Sequence, residues 1–228
     1  GFPPEDVPRL CQALVDHPRW QFAGWITHLA CADDLDDPFT TQQLARFTAA
    51  LQGVPGPRSI ANSAGLLGWP QTHADWVRPG LALYGASPIS GLPAEQLGLK
   101  PAMTVESRLI AVRTFEAGET LGYGRHFTCP ERMPVGVVAI GYADGLPRAV
   151  SSRAEVGIQG QRLPLAGRVS MDMITVDLRP LPHARVGSTV QIWGPGLPAE
   201  HLAAAANTIV YELFCGLTQR VRFQHRNP

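Results

Sequence analysis

The chain has 228 residues, 45% of them hydrophobic, with nineteen basic and nineteen acidic side chains and a net charge of zero. That is long and apolar enough for a packed core, which excludes a disordered chain, and it holds no basic block like those that neutralise a phosphate backbone or an anionic membrane. Nucleic acid and membrane partners are therefore not expected. No apolar run approaches the roughly 20 residues of a spanning helix, and residues 1–5 do not read as a signal peptide. Cys11, Cys31, Cys129 and Cys215 lack metal-ligand spacing, so reduced thiols in a cytoplasmic setting are expected and a metal is not. Lys100 is the sole lysine, which leaves one candidate for amine chemistry.

In chain order, the acids Glu5 and Asp6 precede Val7, Leu10, Cys11, Leu14 and Val15, which share one helical face with the acids at its positive end. An apolar run over 20–27 predicts a strand, 28–37 a polar functional loop, and the spacing of Leu44, Phe47 and Leu51 a helix. Breakers over 53–57 lead to a strand near 59–62, an apolar turn through Leu66 and Leu67, and a strand over 81–84. This alternation implies parallel βαβ units. The segment 85–98, rich in Pro, Gly and Ser, marks a domain boundary, giving an α/β domain over 1–98 and a mostly β domain over 99–228. Within the second domain, 105–115, 135–142, 154–159, 174–178 and 190–193 read as short strands. Helix is expected over 199–207 and 211–217, and a last strand over 219–223.

About three βα units precede the boundary, whereas a closed (β/α)8 barrel needs eight strands. Together with a start at Gly1 and an immediate helix, this sets the expectation that the first domain is the C-terminal part of a barrel whose earlier strands lie upstream.

Several short segments have chemical as well as ordinary structural readings. Ser63 follows a strand, and Gly80 and Leu81 follow Arg78-Pro79, so a hydroxyl and backbone N–H groups are available for a phosphate cradle. Taken alone, each reads rather as an ordinary capping serine or turn glycine. His28 falls where a strand gives way to a polar loop, a position facing the active site in barrels. Tyr123 stands between two glycines, Tyr142 precedes an Asp-Gly turn, and Met171 and Asp172 follow a strand connection; each of these segments alone reads as a turn. Tyr211 near the last helix reads as packing.

Taken together these segments resemble the alanine racemase family, which uses pyridoxal 5'-phosphate (PLP). The resemblance rests on THLACAD at 27–33, NSAG at 62–65, RPGLALYG at 78–85, GYGRHF at 122–127, GYADG at 141–145, GRVSMD at 167–172 and YELFCGL at 211–217, all in family order. It implies a PLP-binding barrel followed by a β domain. His28 would pack on the cofactor ring, Ser63, Gly80, Leu81 and Tyr211 would hold its phosphate, and Arg78 would face the pyridine nitrogen. Tyr123 would be a catalytic base, with Tyr142, Met171 and Asp172 at the substrate site. The resemblance also implies a homodimer whose subunits share each active site, acting on alanine for peptidoglycan supply or for catabolism. The family lysine that bonds to PLP lies upstream of every segment present here, so Lys100, at the start of the β domain, is not expected to replace it. A racemase of another or broader amino-acid set, or an inert domain kept for subunit association, are the alternatives.

Overall fold

The computed structural model describes residues 1–17, 19–150 and 153–225. They form two compact units, Gly1–Leu99 and Lys100–Pro228.

In the first unit a 3-10 turn at Pro4–Asp6 runs into α1 (Val7–Asp16), where a proline in the first turn occupies a position that needs no backbone donor. β1 (Trp25–Ile26) and β2 (Arg58–Ser59) pair in parallel, Trp25 opposite Arg58 and Ile26 opposite Ser59. The crossover between them carries α2 (Phe39–Ala50), so the three elements form one βαβ unit. Ser59 also makes a parallel bridge to Trp76. The core of this unit is Leu29, Ala32, Ile60, Ala64 and Trp69, with Leu44 and Phe47 of α2 packed against it. The indole of Trp69 donates to the carbonyl of Ala32 at 2.9 Å, which satisfies its buried N–H.

The strand expected over 20–27 is confined to Trp25–Ile26, the turn expected through Leu66 and Leu67 is helical, and two further expectations change. The strand near 59–62 stops at Ser59 because Asn62 caps α3 (Ser63–Gly68), its side chain accepting from the Gly65 N–H at 2.9 Å. The segment expected as a strand over 81–84 is instead a 3-10 helix, Leu81–Tyr84. Its entry is fixed by Ser63, whose Oγ accepts the N–H of both Gly80 and Ala82, and two donors converging on one oxygen cannot belong to an extended chain. Gly85, at φ 76°, closes the turn. Among the described residues this unit is parallel α/β, without a closed barrel.

The second unit contains β3 (Val105–Phe115), β4 (Thr120–Leu121), β5 (Phe127–Thr128), β6 (Met133–Val138), β7 (Glu155–Ile158), β8 (Gln161–Pro164), β9 (Ile174–Asp177) and β10 (Thr189–Trp193), then α4 (Ala199–Ala205) and α5 (Val210–Gly216). Six strands form an antiparallel sheet in the order β8-β7-β10-β3-β6-β9. β3 is long enough to serve both halves: Val105 to Arg108 pair with β10, and Leu109 to Phe115 with β6, with an irregularity after Leu109. A bridge from Leu165, just past β8, to Val176 on β9 joins the two edges, so the sheet curls back on itself. Alternate residues point inward and are buried, among them Leu109, Val135, Ile158, Leu163, Val176, Val190 and Ile192. β4 and β5 form a separate hairpin.

β8 was not anticipated from the sequence. The strand expected over 219–223 is absent: Val221 N–H donates to the Thr218 carbonyl and Arg220 N–H to Thr218 Oγ1, so the backbone turns there.

Asp177 is buried at the end of β9 and accepts from the Arg179 guanidinium at 2.6–3.1 Å, while Arg179 also reaches Glu131 at 2.6 Å. The hydrogen bonds to Asp177 and then to Glu131 hold the Arg179 proton more tightly than usual. Replacing Asp177 with Ala should lower stability by about 2 kcal/mol, read as an earlier urea midpoint with an unchanged slope. A midpoint within error of wild type would show that this pair contributes nothing.

Candidate active site

The sequence-predicted residues fall into two sets. His28, Ser63, Arg78, Gly80 and Leu81 lie in the first unit; Tyr123, Tyr142, Met171, Asp172 and Tyr211 lie in the second.

In the first unit Ser63 is 1% exposed, at the start of α3, and its hydroxyl oxygen accepts from Gly80 N–H at 2.7 Å and Ala82 N–H at 3.2 Å. The structure thus brings Ser63, Gly80 and the turn containing Leu81 together. A methyl group built on Gly80 would meet only Ser63 Oγ, at 4.0 Å, so the loop is open on that side. Arg78 is half-buried and tied to the ends of both strands: Nη1 donates to Ser59 Oγ at 2.7 Å, and Nη2 to the carbonyls of Thr27 at 2.7 Å and Ile60 at 3.4 Å. Its cation is therefore fixed beside the segment that leads into His28. His28 itself is exposed. Its backbone is clamped by Gln43 of α2, whose amide donates to the His28 carbonyl at 2.5 Å and accepts from Ala30 N–H at 3.1 Å. Gln43 was not singled out in the sequence, because a glutamine on a helix gives no signal until the loop it meets is known.

In the second unit the pairing Val138 to Ile174 puts the exit of β6 and the entry of β9 at the same end of the sheet. Tyr142 and Met171 meet there as a result. Tyr142 N–H donates to the Ser170 carbonyl at 3.0 Å and Ala143 N–H to the Met171 carbonyl at 2.9 Å. The approach is so close that a Cβ on Gly141 would stand 2.3 Å from both the Ser170 and the Met171 oxygens. Tyr123 lies on the β4–β5 turn between Gly122 and Gly124, at φ 70° and 73°. This hairpin runs beside the strand connection that ends in Met171: a Cβ on Gly122 would be 3.8 Å from Arg168 N, and one on Gly167 3.6 Å from the Leu121 oxygen. Tyr211 is exposed on α5, whose last residue, Gly216, abuts Gly145.

Asp172 and Asp144 share a partner that sequence reasoning missed. Arg220 reaches Asp172 Oδ1 at 2.8 Å and Asp144 Oδ1 at 3.3 Å, while Asp144 Oδ2 accepts Gly141 N–H at 2.9 Å. The hydrogen bond to Asp172, followed by the charge of Asp144, raises the Arg220 pKa against the opposing effect of burial.

The cysteines are free. Burial, and then the Asp37 hydrogen bond, raise the Cys31 thiol; burial, followed by Glu119, raises Cys129. Neither environment favours a thiolate nucleophile. A surface cavity of about 350 Å³ lined by Arg153, Glu155, His201, Ala204 and Ala205 contains none of the candidate residues. No helix among the described residues is long and apolar enough to cross a membrane.

These arrangements define two docked loops over a curled sheet and a serine-held turn on an α/β unit. The family models that match them are "Alanine racemase, N-terminal domain" over residues 1–88 and "Alanine racemase, C-terminal domain" over 102–225. The chain belongs to the alanine racemase family. It is 53% identical over 223 residues to an alanine racemase of Halorhodospira halophila, covering 97% of this chain and 61% of that protein. It is 48% identical over 217 residues to a catabolic alanine racemase of Pseudomonas putida, covering 95% and 61% respectively. The crystal structure of a biosynthetic alanine racemase from Pseudomonas aeruginosa superposes with a TM-score of 0.94 at 44% identity, covering 99% of this chain and 63% of that one. An alanine racemase from Bartonella henselae, solved with covalently bound pyridoxal phosphate, superposes at 0.84 with 32% identity over 96% of this chain and 61% of its own. The chain thus spans about three-fifths of the length of these relatives.

Gly141→Ala should be disruptive, because its neighbours are backbone oxygens that cannot swing aside. A loss of about 3 kcal/mol is expected, together with faster amide exchange at 142 and 143. Wild-type stability and exchange would show that the two loops can part at no cost.

Proposed function

We propose that the protein carrying this chain interconverts L-alanine and D-alanine with PLP, in a cytoplasmic setting consistent with its free cysteines. The observation that carries this reading is the Ser63 turn: a buried hydroxyl facing the N–H groups of Gly80 and Ala82, beside a glycine that leaves room on its open side. Ser63 Oγ takes up the N–H groups of Gly80 and Ala82, so the donors this turn would offer a phosphate are the Ser63 hydroxyl proton and the Leu81 N–H between them. The residues present therefore fit the cofactor's phosphate.

In this reading the α/β unit is the C-terminal part of a (β/α)8 barrel. Its short parallel sheet and the exposure of Ile26 and Trp76, each 65%, support completion by further strands. Ser63, Gly80 and Leu81 would hold the phosphate and His28 would pack on the ring; Tyr211, in the second unit, is assigned to the phosphate by the family resemblance alone. When bound, PLP supplies an electron sink that acidifies the substrate Cα–H. Arg78, fixed by Ser59 and Thr27, carries a guanidinium that can only donate, so a pyridine nitrogen facing it would accept a hydrogen bond rather than carry its own proton. Tyr123, with its Oη deprotonated, would take the proton from one face of the substrate carbon, and the phenol so formed would return it there in the reverse direction. The Met171 N–H receives the substrate carboxylate, with Tyr142 and Asp172 lining the same mouth.

Tyr123, Tyr142, Met171 and Tyr211 are 70%, 39%, 52% and 45% exposed. Side chains of this size and exposure around one end of the unit support a homodimer in which the β domain of one copy completes the site on its partner. The family lysine that bonds to the cofactor comes, in this reading, from a segment outside this sequence, and Lys100 does not substitute for it.

The test joins this chain to the unmatched portion of the H. halophila relative and follows D-alanine appearing from L-alanine. The chimera should racemise both isomers, whereas the present chain alone should not. Tyr123→Phe in the chimera should cut turnover by about 100-fold or more while PLP still binds. Full activity of that variant in both directions would remove Tyr123 from the mechanism, and an inert but folded chimera that binds no PLP would refute the function.

A further inference from the structure

We infer that Arg220 is a positioning residue that locks the two loops of the β unit in register and neutralises their carboxylates. This rests on the proposed function, in which those loops receive the substrate carboxylate.

Three chain segments meet at Arg220. Its Nε faces Asp144, on the turn that carries Tyr142, and its Nη2 faces Asp172, adjacent to Met171. The segment that delivers it is itself anchored to the first loop: Thr218 N–H donates to the Asp144 carbonyl at 3.2 Å and Thr218 Oγ1 to the Ala143 carbonyl at 2.8 Å. The same segment leaves α5 where Gly216 abuts Gly145, so the helix bearing Tyr211 is tied to the same place. The guanidinium links the Asp172 side chain to the first loop, and the backbone bonds of Tyr142 and Ala143 make the parallel connection.

Charge gives Arg220 a second effect. Asp144 side-chain exposure is 14% and that of Asp172 is 52%, so without the guanidinium a shielded carboxylate and a more exposed one would face an incoming carboxylate. With it, the net charge of the three groups is −1 rather than −2. Arg220 does not touch the reacting atoms in this account. It sets where the Met171 N–H sits and how strongly an anion is repelled on approach.

Hydrogen–deuterium exchange on the present chain tests the positioning without any activity. In Arg220→Met, amides at 141–145 and 170–173 should exchange about fivefold faster, with the β3, β6 and β9 core unchanged. Arg220→Lys should restore part of the protection, since it keeps a charge but not the two-pronged reach. Should Arg220→Met fail to fold, Asp172→Asn reads the same link from its other end and should loosen 170–173. Unchanged exchange at both loops, or acceleration spread evenly through the sheet, would overturn the positioning role.

In the chimera, Arg220→Met should raise KM for alanine about fivefold with a smaller change in kcat, and Asp172→Asn added to it should recover part of that loss. A fall in kcat with unchanged KM would overturn the electrostatic role. A chimera that never racemises counts against the proposed function, while the exchange measurement still decides the role of Arg220.

Discussion

The contact between Gly141 and the carbonyls of Ser170 and Met171 constrains everything around it in the β unit. With 2.3 Å from a would-be Cβ to either oxygen, no residue with a side chain fits at 141 unless the loops separate. The antiparallel pairing of β6 with β9 delivers the two loops to the same end of the sheet, and the missing side chain lets their backbones close on each other. Tyr142 and Met171 are thereby held by main-chain hydrogen bonds, which carry less conformational freedom than side-chain contacts. Arg220 then acts on a junction already formed, which is why its half-exposed ion pairs can adjust the loops without carrying the fold.

The α/β unit solves a different problem in a similar way. Ser63 is buried and presents one oxygen to two N–H groups, so the turn after Arg78 is shaped by a side chain rather than by strand pairing. Arg78 donates from Nη1 to Ser59 and from Nη2 to Thr27 and Ile60, joining the ends of the parallel strands. Gln43 completes the frame from the helix side by fixing the segment around His28. Ser63 and the Arg78 guanidinium each have structural partners here, which would pre-orient them for the ligand proposed above.

What the sequence made legible follows from how local each signal is. β3 was found over the same residues because its eleven positions are continuous and bounded by turns, and α2 because Leu44 and Phe47 share a helical face. Residues 81–84 looked like a strand because Leu-Ala-Leu-Tyr is apolar, yet their shape is set by Ser63, seventeen residues before Gly80. Residues 219–223 failed in the same way, since Thr218 turns the chain there through bonds to residues 143 and 144. Among the candidate site residues, motif order pointed to Ser63, Arg78, Tyr123 and Met171. Gln43 and Arg220 were invisible because their meaning depends on which loops the fold brings to them.

The central claim is that the Ser63 turn binds the phosphate of PLP, and phosphorus NMR reads that atom directly. In the chimera, the PLP phosphate resonance should shift and broaden on binding, and Ser63→Ala should return it toward its free position while the sheet of the β unit keeps its fold. A bound cofactor whose phosphate signal is the same in wild type and in Ser63→Ala would contradict the account.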